Sequence, residues 1–261
     1  MSMKKQKDAE ISILEIKQGE IEFLIKGASP LILHRMGEKA KREVLYPKGR
    51  KTAADKATSI KHNPIQEYRD TIYRSKAKET LLMVPSAMFK AAISNAALDI
   101  PGATKAQIGR LVWVVGDEVP VYGIPELLMS TVRLSDMNRT PDIRTRAIVR
   151  EWACKIKVKY IKPNISEQSI INLVASAGII TGIGDYRQQK GKTSYGQFEL
   201  VSRGDADCKS ILKAGGRKAQ TAAMEEPGFY DYDSQELYNW FYNEFKARRG
   251  ESEALQLVSS S

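Results

Sequence analysis

The 261-residue sequence predicts an α+β fold, because strands and helices alternate along it in a recognisable order. The first half contains a strand, a helix and further strands, and the second half contains a strand, a helix, a glycine-rich loop and a strand. Two βαβ-like halves of this kind form a ferredoxin-like, or RRM-like, palm. Such a palm needs only about half of the chain. The remaining residues are expected to form inserted basic subdomains and a C-terminal helical extension.

Hydrophobic periodicity places the elements of the first half. Ile21–Lys26 largely alternates apolar with charged residues and predicts a strand, and Ile11–Ile16 predicts another before it. Ala87–Leu98 predicts a helix with one apolar face, for which Ser86 is a favourable N-cap. Glu38–Leu45 predicts a helix within a basic insertion. Further strands are predicted at 30–34, 81–84, 111–115 and 119–122, with a short helix or turn at 65–73.

The second half contains the clearest strand of the chain. Trp152–Ile161 places Trp152, Cys154, Ile156, Val158 and Tyr160 on one side and three lysines on the other, which predicts one core face and one face that is solvated or meets an anion. Ser166 then caps a predicted helix that ends at Gly178. After a glycine-rich loop, Gln197–Val201 predicts the closing strand of the palm.

These elements divide the chain into a core and an extension. Residues 1–203 are predicted to form the palm, with a basic insertion at about 35–63 and an arginine-rich segment at 133–150. Residues 204–261 are predicted to form a C-terminal extension with an aromatic amphipathic helix, for which Ser234 is the expected N-cap. The apolar face of this helix is expected to consist of Leu237, Trp240, Phe241 and Phe245.

The formal net charge of +10 favours a polyanionic partner. The excess lies in three segments: 35–61 carries nine basic and three acidic residues, 133–150 carries five and two, and 185–192 carries three and one. We expect this excess to lie in loops.

Composition disfavours several functional classes. No apolar run approaches the roughly 18 residues that a membrane span needs, and the start, MSMKKQKDAE, lacks the apolar core of a signal peptide. A soluble cytoplasmic protein is therefore expected. From two cysteines and two histidines we expect reduced structural thiols, no metal site and no cofactor. Phosphate-loop and dinucleotide motifs are absent from the sequence, which disfavours an NTPase or a Rossmann enzyme.

The functional prediction is built around the glycine-rich loop between Gly178 and Val201. Its glycines permit close approach of the backbone, and cations and tyrosines stand between them. Backbone amides, cations and aromatic rings are the groups that hold a phosphodiester chain. The loop residues predicted to bind nucleic acid are Arg187, Lys190, Lys192, Tyr186 and Tyr195, with the loop glycines Gly182, Gly184, Gly191 and Gly196.

Two further segments are predicted to form the other walls of a nucleic-acid groove. The candidates in the arginine-rich segment are Arg133, Arg139, Arg144, Arg146 and Arg150. Those in the basic insertion are Lys39, Lys41, Arg42, Lys48, Arg50 and Lys51. The use of arginine throughout the first set favours bidentate contacts with phosphate.

The stretches IEFLIKGASPLILHR, LMVPSAMFKAAISNAA and GIGDYRQQKGKTSYGQFELV follow one another between Ile21 and Val201. This layout resembles the RAMP superfamily, in particular the backbone subunit of CRISPR effector complexes, and is similar to uncharacterised proteins of tailed phages and prophages. The resemblance implies copies stacked into a filament, a single strand of RNA or DNA running along them, and possible protein partners in a ribonucleoprotein. A phage-encoded protein of this kind would act in the cytoplasm of a bacterial host cell.

Three functions stay open at this point. The first is a non-enzymatic, oligomerising protein that binds single-stranded nucleic acid. The second is a metal-independent endoribonuclease that uses His34, since RNA-processing enzymes of the resembled superfamily use a histidine near the glycine loop. The third is a structural or decoy protein that mimics an effector subunit and binds other proteins. Asp136 and Asp142 are candidates for metal-dependent cleavage, although ion pairs are expected for acids that lie among five arginines.

Overall fold

The computed structural model describes residues 15–46, 61–76, 78–133, 140–190 and 193–250, without the side chains of Lys39 and Lys190. The strands in these ranges are β1 (Lys17–Gly27), β2 (Leu31–Leu33), β3 (Met83–Pro85), β4 (Val112–Val114), β5 (Glu118–Tyr122), β6 (Pro125–Arg133), β7 (Pro141–Val149), β8 (Ala153–Lys162) and β9 (Phe198–Val201). The α-helices are α1 (Glu38–Leu45), α2 (Pro64–Thr71), α3 (Ser86–Ala96), α4 (Lys105–Leu111), α5 (Glu167–Ser176), α6 (Ala206–Ala214), α7 (Arg217–Glu225) and α8 (Tyr232–Arg249). The predicted strand at Ile11–Ile16 falls almost entirely outside the described residues.

Six strands form one antiparallel sheet with the order β3-β5-β8-β1-β9, in which β4 also pairs with β8. The central strands are β1 and β8, with β9 on one side and β4 and β5 on the other. Phe89 and Ile93 of α3 and Ile170 and Val174 of α5 join the core beneath this sheet. Two helices beneath an antiparallel sheet with this strand order form a ferredoxin-like palm. The predicted fold class is therefore confirmed.

Side-chain alternation in the two central strands separates the core from the outer face of the palm sheet. Across the β1–β8 pair, Phe23 lies opposite Ile156 and Ile25 lies opposite Cys154, and all four side chains are buried. The lysines of β8 occupy the positions between them and point to the other face, as the sequence predicted. Burying each large apolar side chain contributes about 1.5–3 kcal/mol, so this face holds the palm together.

A second sheet has three strands in the order β2-β7-β6. Residues 141–149 of the arginine-rich segment form its central strand, so the expectation that the basic excess lies in loops was wrong for this segment. Ala147 and Val149 of β7 join the main core, whereas Ile148 belongs to a separate apolar cluster on the opposite face. The strand was missed because its inward positions include Thr145 and Ala147, which contrast only weakly with the outward residues and leave the two-residue period faint.

The helix that was expected to end at Gly178 continues further. After α5, a π-helical turn covers Ala177–Thr181, and the backbone leaves it at Gly182 with a φ of +65°. Gly178 has a packing role instead, because a Cβ atom at this position would lie 2.0 Å from the carbonyl oxygen of Phe198 in β9. The glycine therefore lets the turn approach the edge strand of the palm closely.

The C-terminal residues 206–249 form three helices, of which only the last was predicted. Asp231, not Ser234, is the N-cap of α8, since its side chain accepts a hydrogen bond from the Ser234 amide. Ser234 is fully buried and its hydroxyl binds the Met129 amide of β6 at 3.0 Å. The buried stripe of α8 therefore runs through Ser234, Leu237 and Tyr238, and it leaves Trp240 61% exposed rather than on the apolar face.

Within the ranges that the structure describes, no helix combines the length and the apolar character needed to cross a membrane.

Candidate functional site

The glycine-rich loop is tied to the backbone around β2. The Asp185 amide donates to the Ile32 carbonyl at 3.0 Å, and the Gly196 amide donates to the Pro30 carbonyl at 2.8 Å. The loop also closes on itself, since the Ile183 amide donates to the Gly196 carbonyl at 2.9 Å. These bonds hold the two ends of the loop against the second sheet.

Three of the loop glycines are required by this packing. Gly184 and Gly196 have φ values of +82° and +70°, a region that side-chain-bearing residues rarely adopt. A Cβ atom at Gly184 would lie 2.6 Å from the Ile32 carbonyl oxygen, and one at Gly196 would lie 1.8 Å from that of Ile183. Gly182 is similarly enclosed, with a Cβ position 2.9 Å from the Gly196 carbonyl oxygen. The internal packing of the loop explains these glycines without a bound phosphate, and Gly191 lies outside the described residues.

The outer face of the second sheet brings the loop and the arginine-rich strand together. Ile32 pairs with Ile148, and Leu128 pairs with Arg146, so these side chains share one face. Ile32, Leu128 and Ile148 form a small buried cluster that is covered by three half-buried tyrosines. We call this surface the arginine–tyrosine face, and it consists of Arg144, Arg146, Arg150, Tyr186, Tyr195 and Tyr230.

Two arginines lie over tyrosine rings on this face. The Arg146 guanidinium is 4.8 Å from the ring centroid of Tyr186, and that of Arg150 is 4.3 Å from the ring centroid of Tyr230. Cation–π pairs of this kind contribute about 0.5–1 kcal/mol at exposed sites and hold both side chains in place. The Arg150 Nη2 also donates to the Tyr230 carbonyl at 2.6 Å, which fixes its position further.

Each arginine of the face also meets a carboxylate. Arg146 Nε lies 3.0 Å from Asp185 Oδ2, Arg150 Nη2 lies 3.1 Å from Glu126 Oε2, and Arg144 Nε lies 3.4 Å from Asp142 Oδ2. The three arginines differ in access, because the side chains of Arg144 and Arg150 are 44% and 51% exposed, whereas that of Arg146 is 7% exposed. A guanidinium has five N–H donors, so the two exposed arginines can bind a further acceptor. Arg146 chiefly joins the loop to the strand.

The tyrosines of the face are held by loop contacts. Tyr186 has a φ of +50°, which is uncommon for a residue with a side chain, and its carbonyl accepts a hydrogen bond from the Thr193 hydroxyl. Partial burial raises the pKa of Tyr195, and the neighbouring Tyr230 and Asp231 add to this effect. Tyr195 therefore remains neutral, and all three rings lie half in the protein and half in solvent.

The other predicted binding residues are less closely gathered. Arg187 binds its own loop, with Nη1 donating to the Gly184 carbonyl at 3.2 Å. Arg133 is exposed at the end of β6, and on α1 Arg42 lies 3.9 Å from Glu38 while Lys41 is half-buried. The predicted residues that lie outside the description, wholly or as side chains, are Lys39, Lys48, Arg50, Lys51, Arg139, Lys190 and Lys192.

A second feature, which the sequence did not predict, is an open cleft of about 550 Å³ beside the arginine–tyrosine face. Residues from α1, α2, β7 and the connection after β2 line it. The two histidines of the chain, His34 and His62, both line this cleft. His62 Nδ1 lies 2.9 Å from Glu67 Oε1, and its Nε2 lies 3.3 Å from Asp142 Oδ1. The sequence could not predict that His34 and His62 line one cleft, because they are 28 residues apart and belong to no spacing motif.

The charges around the cleft set the protonation of its groups. Burial alone would raise the pKa of Asp142, but Lys61, His62 and Arg144 outweigh it, so the pKa is lowered and the carboxylate is ionised. Lys61 Nζ lies 2.5 Å from Asp142 Oδ1, which confirms the predicted ion pairing of this acid, and Asp136 lies outside the described residues. The pKa of His34 is lowered, mainly by desolvation and also by Arg146 and Arg144, so its imidazole is neutral at pH 7.

No group of three or more histidine, cysteine, aspartate or glutamate side chains is arranged to hold a metal ion in the part of the chain that the structure describes. Both cysteines are free and buried, and burial raises the pKa of the Cys154 thiol. A buried thiol of raised pKa is unreactive at neutral pH.

Comparison with known proteins does not place the chain in a family. No family model matches it, and no curated protein sequence matches it. Among solved structures, a chain in the cryo-electron-microscopy structure of the Type III-B Cmr-beta complex bound to cognate target RNA is similar, with 11% identity and a TM-score of 0.35. The match covers 71% of this chain and 60% of the length of that one. A likeness at this level does not assign a function, and the relation to the RAMP superfamily stays a prediction.

We predict that Gly196→Ala disrupts the loop. The new Cβ would collide with the Ile183 carbonyl, and the residue would keep an unfavourable positive φ, so the free energy of unfolding should fall by at least about 2 kcal/mol. Urea unfolding followed by circular dichroism measures this change. Gly228→Ala is the control, because nothing lies within 4 Å of its Cβ position. Equal stability of the two variants would contradict the packing role of Gly196.

Proposed function

We propose that this chain binds single-stranded nucleic acid, RNA or DNA, across the arginine–tyrosine face. The observation that supports the proposal most directly is the convergence of two basic segments distant in sequence. Arg144 and Arg150 of the β7 region and Tyr186 and Tyr195 of the glycine-rich loop meet on one face of the second sheet. Exposed guanidinium groups beside half-exposed aromatic rings are the combination that contacts phosphates and bases of a single strand.

The chemistry of the face favours contact with the phosphate backbone over sequence readout. Arg144 and Arg150 are oriented by Asp142 and Glu126 and keep N–H donors toward solvent. A guanidinium fork held in this way matches two phosphate oxygens, and the contact is the same for every base. The half-buried rings of the face supply stacking of about 1–3 kcal/mol per base, and stacking is available only to unpaired bases. This combination favours a single strand over a duplex.

Several copies are proposed to bind side by side. The C-terminal end of α1 presents Val44 and Leu45 to solvent together with the C-cap residue Tyr46, and each is 70% exposed or more. Contiguous exposed apolar residues on a folded protein mark an interaction surface, and a second copy of the chain is the partner that a repeating strand would bring close. Equilibrium sedimentation with and without a bound oligonucleotide tests this part of the proposal separately.

We propose that the protein does not cleave the strand. The neutral His34 is a possible acid–base group of the endoribonuclease alternative, and it lies in the cleft beside the face. The expected result is that end-labelled RNA stays intact with the protein in both EDTA and Mg²⁺, as seen on a denaturing gel. Cleavage in EDTA that is lost in His34→Ala would instead establish the endoribonuclease.

We predict that replacing Arg144 and Arg150 by glutamine weakens binding by roughly tenfold for each arginine, or about 1.4 kcal/mol per contact. The loss should be the same for oligonucleotides of different sequence, since phosphate contacts do not depend on the base. The slope of log affinity against log salt should also fall by about 0.7 for each phosphate contact removed. Fluorescence anisotropy over a salt series measures both quantities.

The matched control for this experiment is Arg110→Gln. Arg110 is an exposed arginine on α4, outside the face, and its guanidinium binds only the Ala106 carbonyl of its own helix in the described structure. Its substitution should leave the affinity and the salt slope unchanged. Salt-insensitive binding, or binding that the double variant does not weaken, would contradict the proposed face. A pull-down that recovers protein partners without nucleic acid would favour the decoy alternative.

A further inference from the structure

The cleft opens at the end of the arginine–tyrosine face, so a strand on that face passes its mouth. Arg144 belongs to both, and Asp142, two residues earlier on β7, lines the cleft on the same side of the strand. His34 follows β2 directly and lies close enough to Arg146, Arg144 and Asp185 for their charges to affect the pKa of its imidazole. A nucleotide bound at Arg144 therefore lies within reach of the cleft.

The charge of the cleft excludes phosphate as its occupant. Four carboxylates, those of Glu43, Glu67, Asp70 and Asp142, line it alongside the cations of Arg35, Lys61 and Arg144. Two of those cations, Lys61 and Arg144, are paired with Asp142. A phosphate brought into this surrounding would be repelled by at least as many charges as attract it. A neutral group that offers hydrogen-bond donors fits the carboxylates instead.

Glu67 is placed to accept such donors. Its Oε1 lies 2.9 Å from His62 Nδ1, which holds the side chain in position. Each carboxylate oxygen can accept more than one hydrogen bond, so both oxygens remain able to accept a bond from a ligand. An ionised carboxylate only accepts hydrogen bonds, and pairs with two adjacent N–H groups in a bidentate manner. Among nucleobases, guanine presents two adjacent donors, the N1 imino and N2 amino groups, on its pairing edge, whereas uracil presents a single donor.

An independent sign of a ligand is the hydroxyl of Thr145. This residue lines the cleft, is 4% exposed, and its Oγ1 has no hydrogen-bond partner within the described residues. An unpaired buried hydroxyl costs about 1–3 kcal/mol, which a ligand that bonds to it would recover. The neighbouring Thr71 hydroxyl is in contrast fully used, since it donates to the Tyr68 carbonyl and accepts from the Ala147 amide.

The cleft also offers flat groups for stacking and a suitable size. His34 and Arg35 both line it, and their side chains end in planar groups on which an unstacked base can lie. Its volume of about 550 Å³ is within the range of small-ligand pockets and admits one nucleoside.

We propose that the cleft receives one base of the bound strand and prefers an amino-bearing base, guanine before all others, through the Glu67 carboxylate and the Thr145 hydroxyl. This inference rests on the proposed function and adds a specificity element to it. The arginine–tyrosine face would bind a single strand of any sequence, and the base preference of the cleft would determine the position on the strand at which each copy of the protein binds.

The test measures binding of labelled uridine oligonucleotides and of the same oligonucleotides with isolated uridines replaced by guanosine, adenosine or cytidine, each also as the deoxy form. The wild-type protein is expected to bind the guanosine series about tenfold more tightly than plain uridine, because a bidentate pair discriminates by about 1–3 kcal/mol. Glu67→Gln should bring this ratio to about one. Glu225→Gln, an exposed glutamate of α7 that does not line the cleft, is the control and should keep the wild-type ratio.

The outcomes separate the two proposals. If the wild-type protein binds all series equally well, and the Arg144 and Arg150 double variant binds all of them more weakly, the inference is overturned and the proposed function stands. Absence of binding to every oligonucleotide would overturn both. A guanosine preference that persists in Glu67→Gln would also overturn the inference. If Glu67→Gln fails to fold, Thr145→Val, which is nearly isosteric, decides by the same ratio, because it removes only the buried hydroxyl.

Discussion

The close approach of the glycine-rich loop to β2 is the constraint on which the proposed binding surface depends. The carbonyl oxygens of Ile32 and Ile183 occupy the space in which side chains at Gly184 and Gly196 would stand. Because the backbones lie this close, Asp185 reaches Arg146 and Tyr186 covers the apolar cluster of the second sheet. A looser loop would leave Arg146 without Asp185 and Tyr186, and the sheet without its cover.

The second sheet connects the arginine–tyrosine face with the cleft. One face of β7 joins the palm core through Ala147 and Val149, and the other presents Arg144 and Arg146. Because β7 is anchored in the core, the backbone that carries Arg144 and Arg146 is held more rigidly than the backbone of a surface loop would be. The same strand continues into the wall of the cleft at Asp142. The distance between the phosphate-binding arginines and the proposed base-binding cleft would then be fixed by one β-strand.

Sequence periodicity predicted the palm well and the second sheet poorly, for a physical reason. In β8 the outward residues are lysines between large apolar ones, so the period of two is plain, whereas in β7 the inward positions include Thr145 and Ala147 and the contrast is weak. The cleft could not be predicted from the sequence, because it forms where three elements that are distant in sequence, α1, α2 and β7, come together. Trp240 was predicted to lie on the buried side of α8 because it is a large aromatic residue. The side of α8 that packs against the core instead carries Ser234, Leu237 and Tyr238.

The most direct test of the central claim is to map where a strand touches the protein. An oligonucleotide carrying a photoreactive thiouridine is cross-linked to the full chain, and the modified peptides are identified by mass spectrometry. Binding across the arginine–tyrosine face predicts adducts on the peptides that contain Tyr186, Tyr195 or Tyr230. Adducts confined to the outer face of the palm sheet, for example at Trp113 opposite Lys159, would contradict it.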